Sequence, residues 1–341
     1  MDNMVLLKND LTKFIEELMK KYKVFAPTEN NEKILYKQIK KSSEINLDFC
    51  NSDIPPKELL FQQTETLFKF TPGTKGEIDP SEFKNEPTVV LGIRPCDAKS
   101  LAILDHAFKG EYEDPYYLTH RKNTFLIGLS CIEPPLNCFC TSFGDSPGSP
   151  EYVDILLTDI GDKYLVEIAS DKGRQLTTGL NKLFRSATEN DNKKKKEVEK
   201  KAIDSISRYQ KTDDIVDILD KIFENPFWKN VANKCLGCGT CTFLCPTCHC
   251  FDIQDETTLS RGARIRVWDT CMNPEYTLQA SGYNPRPART NRVKNRIYHK
   301  YNYYPKNYDV IACVGCGRCI DKCPVNIDII DVVTRAGEVK T

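Results

Sequence analysis

Apolar positions near the N-terminus recur at helical spacing. Leu11, Phe14, Ile15, Leu18, Met19 and Tyr22 share one face of a predicted helix, with Asn9 or Asp10 placed to cap it. From about residue 24 to 175 the pattern becomes mixed α/β. "TVVLGI" (88–93) and "TFLIGLS" (124–130) are short continuous apolar runs, as in strands buried on both faces. "KSLAILDHAF" between them reads as a helix, and this strand–helix–strand order predicts a parallel pair. "YVDILLTDIGDKYLVEIA" alternates on either side of Gly161-Asp162, which predicts a β-hairpin. The apolar pattern fades in "ATENDNKKKKEVEKKAIDSISRYQK", a solvated helix or mobile linker. Helical spacing returns in "VDILDKIFENPFWKN" and "RTNRVKNRIYHKYN".

Charge changes this picture little, and cysteine changes it greatly. The 341 residues carry 48 basic and 48 acidic side chains, so no global field favours nucleic acid or anionic lipid. "MDNMVLLKND" lacks the apolar core of a secretory signal, and no apolar run approaches the ~18 residues of a membrane span. A cytoplasmic chain is expected. Its sixteen cysteines point to metal rather than disulfides, because thiols in that compartment stay reduced. Eleven follow residue 230, four fall between Cys96 and Cys140, and Cys50 stands apart.

"CLGCGTCTFLCP" and "CVGCGRCIDKCP" repeat one spacing, C-x2-C-x2-C-x3-C-P, which is the run that holds [4Fe–4S] clusters. Three cysteines two residues apart lie on a tight turn and converge on one cube. The fourth, beside proline, points away towards the other cluster. Cys235, Cys238, Cys241 and Cys323 are therefore expected to hold one cluster, and Cys313, Cys316, Cys319 and Cys245 the other. A pair of zinc sites needs only two C-x2-C pairs each and leaves the third cysteine and the C-P unexplained. The 67 residues between Cys245 and Cys313 include helix-like segments. The expected fold is α+β and multidomain. Residues 1–185 form a mixed α/β domain, 186–225 a charged helical linker, and 226–341 an α-helical ferredoxin-like dicluster domain.

Cys96 follows the strand 88–93 and Cys131 follows the strand 124–130. In a parallel pair both lie at strand C-terminal ends, where open α/β sheets place ligand sites. Cys138 and Cys140 follow closely, so a third [4Fe–4S] cluster held by Cys96, Cys131, Cys138 and Cys140 is a candidate. The alternative is buried and loop thiols with no metal. Asp97 is placed to cap the helix that starts there, and Arg94 and Lys99 face either the cluster or water. Cys248, Cys250 and Cys271 offer accessory ligation or simple packing. His249 is a ligand, a proton relay or a hydrogen-bonded neighbour of the cluster. The arginines of "RGARIR" and "NPRPARTNRVKNR" are expected on solvated faces, or as a docking surface or shield for anionic clusters.

"VFAPTE", "TETLFKF", "GIRPCDAKSLAILD", "NCFCTSFG", "CLGCGTCTFLCPTCHCFDIQDE", "RGARIRVWDTCM" and "CVGCGRCIDKCPV" occur in this order across most of the chain. This set resembles the iron–sulfur β subunit of cytoplasmic sulfhydrogenases and is similar to the iron–sulfur subunit of anaerobic sulfite reductase. The resemblance implies an electron-transfer subunit that is not catalytic alone. It relays electrons between a subunit that binds flavin/NAD(P) and a hydrogenase, heterodisulfide reductase or sirohaem sulfite reductase subunit. No G-x-G-x-x-G fingerprint is present, so flavin and nicotinamide are expected on a partner. Two competing readings are a sulfur reductase acting through Cys96 as a thiol activated by Lys99, and an iron–sulfur sensor. No DNA-reading module supports the sensor.

Overall fold

The computed structural model describes residues 3–73, 76–80 and 86–339. Strands β1 (Met4–Leu7), β2 (Lys23–Asn30), β3 (Lys33–Gln38), β4 (Thr64–Phe70), β5 (Ile78–Pro80), β6 (Thr88–Ile93), β7 (Thr124–Leu129), β8 (Ile155–Asp159), β9 (Lys163–Ile168) and β10 (Phe184–Ser186) lie N-terminal to the cassettes. β11 (Phe251–Thr257) and β12 (Gly262–Trp268) lie between them. Eight strands form one mixed sheet in the order β10-β1-β9-β8-β7-β6-β2-β3. β2, β6, β7 and β8 run parallel, while β8 and β9 form the hairpin that turns at Gly161-Asp162.

Both faces of this sheet are covered, which explains its continuous apolar runs. On one face α1 (Lys8–Met19) packs Phe14, Ile15 and Leu18 against Val89, Leu91, Ile127 and Ile155. On the other, α2 (Pro95–Phe108) and α3 (Pro115–Asn123) pack Leu101, Leu104, Phe108 and Tyr117 against Val90, Leu126 and Leu156. The start of α1 differs from expectation. Leu7 occupies the N-cap with no side-chain cap, because β1 runs directly into the helix. Asp10 falls instead in the first turn, where its charge suits the helix dipole.

After α4 (Asp171–Thr177), the charged segment forms α5 (Glu189–Ser205), closed at its start by a capping box between Thr188 and Asp191. Most of its lysines face water, but Asp191 is buried against Lys163 of β9 at 2.8 Å. A second core gathers α6 (Ile215–Lys221), α7 (Phe227–Asn233), α9 (Arg289–Tyr298) and α12 (Ile329–Gly337) around Trp228, Ile297, Tyr298, Tyr301 and Val333. The short helices α8 (Thr240–Phe243) and α11 (Arg318–Asp321) pack on it through Cys241, Cys319 and Ile320, while α10 (Tyr304–Tyr308) joins Ile103, Ala312 and Val314 in a smaller cluster.

The C-terminal part is not helical throughout. β11 and β12 form a hairpin that extends β4 and β5 into a second, antiparallel sheet. Its Arg266 is buried and paired with both Glu65 and Asp114, so "RGARIR" is only partly a solvated face.

A second buried ion pair, besides that of Arg266, locks the two parts together. Asp97, in the first turn of α2, takes two hydrogen bonds from Arg318 of the second cassette, at 2.6 and 2.8 Å. The side chains are 1% and 3% exposed. Asp97 is therefore not the helix cap that the sequence suggested; Arg94 holds the N-cap position and Pro95 follows it. Replacing Asp97 or Arg318 alone by Leu should cost about 3–5 kcal/mol, since each change strands a buried charge. The double replacement should recover much of that loss in denaturant unfolding.

Candidate metal centres

The cassette turns are built alike. Gly239 and Gly317 adopt φ of +74° and +79° and open the short helices α8 and α11. Each cassette thereby folds its cysteines around a hollow. Cys235, Cys238, Cys241 and Cys323 line the first cavity. Cys313, Cys316, Cys319 and Cys245 line the second, and Cys319 also reaches the first. Among the described residues no three His, Cys, Asp or Glu side chains converge as ligands of a single ion would. Four cysteines line each hollow, the number of thiolates that a [4Fe–4S] cluster takes.

Backbone and side-chain donors already aim at these sulfurs. Gly237 N–H donates to Cys235 Sγ at 3.3 Å, and Ile327 N–H to Cys323 Sγ at 3.2 Å. Lys300 lies in a π-helical turn (His299–Tyr303) after α9, and its Nζ donates to Cys245 Sγ at 3.1 Å. Lys57 Nζ donates to the carbonyls of Cys245 and Cys248 at 2.8 and 2.7 Å. Two buried ammonium groups beside one sulfur fit an anionic group there. The Cys245 thiol is held well below its ordinary range, first by a bond from the Cys248 thiol, then by Lys300 and Lys57.

A third cavity opens at the C-terminal ends of β6 and β7. Cys96, Cys131, Cys138 and Cys140 line it, and so does Cys50, which sequence spacing did not connect to them. A bulge at Gly92, φ +79°, shifts the register of β6 against β7 just before Arg94. Arg94 is buried and donates to the carbonyls of Phe49, Cys50 and Ser130, drawing three chain segments around the cavity. No local signal marks Cys50; Arg94 and a bond from its own thiol to Glu133 O hold it there.

Lys99 faces neither Cys96 nor open water. It pairs with Asp145 at 2.6 Å. Burial, with Asp97 beside it, pushes the Cys96 thiol well up. This environment opposes a free reactive thiolate but not a ligand, because a metal deprotonates its thiols outright.

The remaining cysteines line none of the three cavities. Cys248 packs on Cys245. The Cys271 thiol bonds to Cys250, which lowers Cys250 and raises Cys271. His249 is half-buried, its Nδ1 is 3.3 Å from Thr247 O, and desolvation pushes its imidazole down to about 4. It sits among Phe108, His299 and Tyr304. In the basic helix α9, Arg292, Lys294 and Arg296 are buried rather than on the solvated face that is one of the expectations, and Arg296 lines the first two cavities, where a shield for anionic clusters would stand.

The second and third cavities abut through backbone. Phe139 N–H donates to Gly315 O at 2.8 Å, and a Cβ on Gly315 would meet Phe139 C at 2.5 Å. One on Gly317 would meet Asn137 O at 2.7 Å. Asn51 adds a bond to Cys316 O at 2.8 Å.

The fold and its cysteine-ringed hollows define an iron–sulfur protein, and residues 234–327 match the family model of the 4Fe-4S dicluster domain. The chain is 33% identical over 326 residues to sulfhydrogenase 2 subunit beta of Pyrococcus furiosus, covering 95% of each chain. It is 21% identical over 338 residues to the F420-dependent formate dehydrogenase subunit beta of Methanocaldococcus jannaschii, covering 95% of this chain and 73% of that one. No solved structure matches. The chain belongs to the family of sulfhydrogenase β subunits, which are iron–sulfur electron-transfer subunits of oxidoreductases. No helix among the described residues is long and apolar enough to cross a membrane.

The glycine contacts make a sharp prediction. Gly144 also has positive φ, but a Cβ there meets nothing within 4 Å. Gly144→Ala should cost only the backbone strain, about 1–2 kcal/mol. Gly315→Ala must also push the 137–140 loop away, so it should cost clearly more in denaturant unfolding and release iron from the adjoining sites.

Proposed function

We propose that this chain carries three [4Fe–4S] clusters in a row and relays electrons between two partner subunits. The clusters, when bound, supply one-electron carriers whose potentials follow their surroundings. Cys235, Cys238, Cys241 and Cys323 hold the first, Cys313, Cys316, Cys319 and Cys245 the second, and Cys96, Cys131, Cys138 and Cys140 the third. Cys50 stands beside the third as a fifth sulfur.

The observation that carries this reading is the continuity of the three cavities. The first two share Cys319 and Arg296 in their walls, and Phe139 walls the second while its neighbours Cys138 and Cys140 wall the third. The middle site is shielded by buried Lys300, Arg296 and Phe139. The two ends reach the surface, at exposed Cys238 beside Leu236 and at exposed Cys50. A wire with a protected middle and two accessible ends suits a subunit placed between an electron donor and an acceptor.

By its likeness to the sulfhydrogenase subunit, the donor and acceptor are a subunit that binds flavin/NAD(P) and a hydrogenase-type catalytic subunit in a cytoplasmic complex. A heterodisulfide reductase or sirohaem sulfite reductase partner is the alternative. Residues 1–185 bring the third site and 226–341 the other two, joined through 186–225. A sulfur reductase acting through Cys96 is disfavoured, because Lys99 is occupied by Asp145.

Iron analysis and EPR of the full chain purified without oxygen test this proposal. Three clusters predict about twelve irons per chain and two predict about eight. Cys96→Ala should remove about four irons and one EPR signal while the other two signals remain. A wild-type chain holding about eight irons, with Cys96→Ala unchanged, would overturn the third cluster.

A further inference from the structure

Arg296 projects from α9 into the wall shared by the first and second cavities. It is 8% exposed, and its Nε is buried without a hydrogen-bond partner. Arg266 and Arg292 also leave their Nε unpartnered, but every other buried arginine places the rest of its fork on carboxylates or carbonyls. Arg318 has Asp97, Arg266 has Glu65 and Asp114, Arg94 has four carbonyls, and Arg292 has the carbonyls of Arg286 and Pro287. Among the described residues no carboxylate pairs with Arg296. Arg296 shares a wall with Cys235, Cys238, Cys241 and Cys323 in the first cavity and with Cys245, Cys313 and Cys316 in the second, Cys319 lining both, and Lys300 is a like charge in the second wall.

A guanidinium cannot shed its proton to escape burial. Buried without an anion it costs several kcal/mol. Cys245 and Cys319 belong to the second site and Cys241 to the first, so the negative charge that compensates Arg296 comes from both cavities at once. We infer that Arg296 is the shared counter-cation of the first two cluster sites, a positioning residue that sets both potentials through its charge. This inference rests on the reading that both cavities hold [4Fe–4S] clusters. Each such site becomes more negative by one charge on reduction, so a fixed cation between them favours the reduced state of both. It also weakens the repulsion between two anionic neighbours. The third site lies beyond Phe139 and outside this contact.

Arg296→Gln and Arg296→Lys, made in the full chain and purified without oxygen, test the inference by iron content and by EPR-monitored redox titration. In Arg296→Gln the reduced-to-oxidised ratio at fixed potential should fall about tenfold or more at the first two sites, the scale for losing a unit charge at close range in an effective dielectric of about 20. The third site should not move. Arg296→Lys should shift less, and Arg292→Gln, on the same helix, should shift neither. A full complement of iron with no shift, or a shift at one site alone, would overturn the shared role. If Arg296→Gln loses iron from the first two sites, Arg296→Lys decides. Full iron with near wild-type potentials supports the counter-cation, and loss of iron there too means that shape, not charge, is what Arg296 supplies. Absence of iron from the wild-type first or second site would instead defeat the underlying reading of the cavities.

Discussion

The buried pair between Asp97 and Arg318 is the constraint on which the arrangement depends. Asp97 opens the helix after β6, and Arg318 sits between Cys316 and Cys319 of the second cassette. Two hydrogen bonds of a planar fork to a carboxylate fix direction as well as distance. Around that fixed point, Ser52 accepts from Arg318, Asn51 reaches Cys316 O, and Lys322 pairs with Asp53. The glycines of the same cassette can then press on the 137–140 loop. A buried ion pair adds little net stability against an apolar substitute, but it penalises every other register. Here the register it selects is the one that makes two cysteine-lined cavities neighbours.

The zero formal charge of the chain conceals a strong local imbalance. Buried carboxylates have their own cations: Asp97 with Arg318, Glu65 with Arg266, Asp191 with Lys163. Three buried cations around the cassettes, Lys57, Lys300 and Arg296, have no carboxylate partner among the described residues and turn towards carbonyls and cysteine-lined cavities instead. Desolvation opposes each of them, so an anionic occupant is what makes their burial tolerable. The same cations would tune it, since nearby charge is one of the protein's principal controls over cluster potential.

The long separation of the cassettes has a structural use. Between them the chain makes the β11–β12 hairpin, which joins β4 and β5, and then α9 and its π-helical turn, which carry Arg296 and Lys300 inward. The insert therefore stitches the dicluster region to the sheet and supplies the buried charge. Lys57 connects the two functions: it bonds the carbonyls of Cys245 and Cys248, and its Nζ lies 4.4 Å from the Trp268 ring centroid at the end of the hairpin.

What the sequence determined by itself is local. The cassette spacing brings cysteines together because three residues on one tight turn can hardly avoid a common centre. The runs 88–93 and 124–130 make parallel strands because only a sheet covered on both faces buries them. The hairpin at Gly161 follows from alternation about a turn. Distant partners decided the rest. Asp97 reads as a helix cap until Arg318 arrives from 221 residues away. The arginines of α9 read alike as solvated, docking or shielding, and only the fold separates them: Arg292 turns to carbonyls and Arg296 to the cysteine-lined cavities. Cys50 carries no spacing signal and reaches the third cavity because Arg94, Arg318 and Cys316, all distant in sequence, gather its loop. Charge and burial are properties of what surrounds a residue, and sequence order reports those surroundings only over the few residues of a turn, helix or strand.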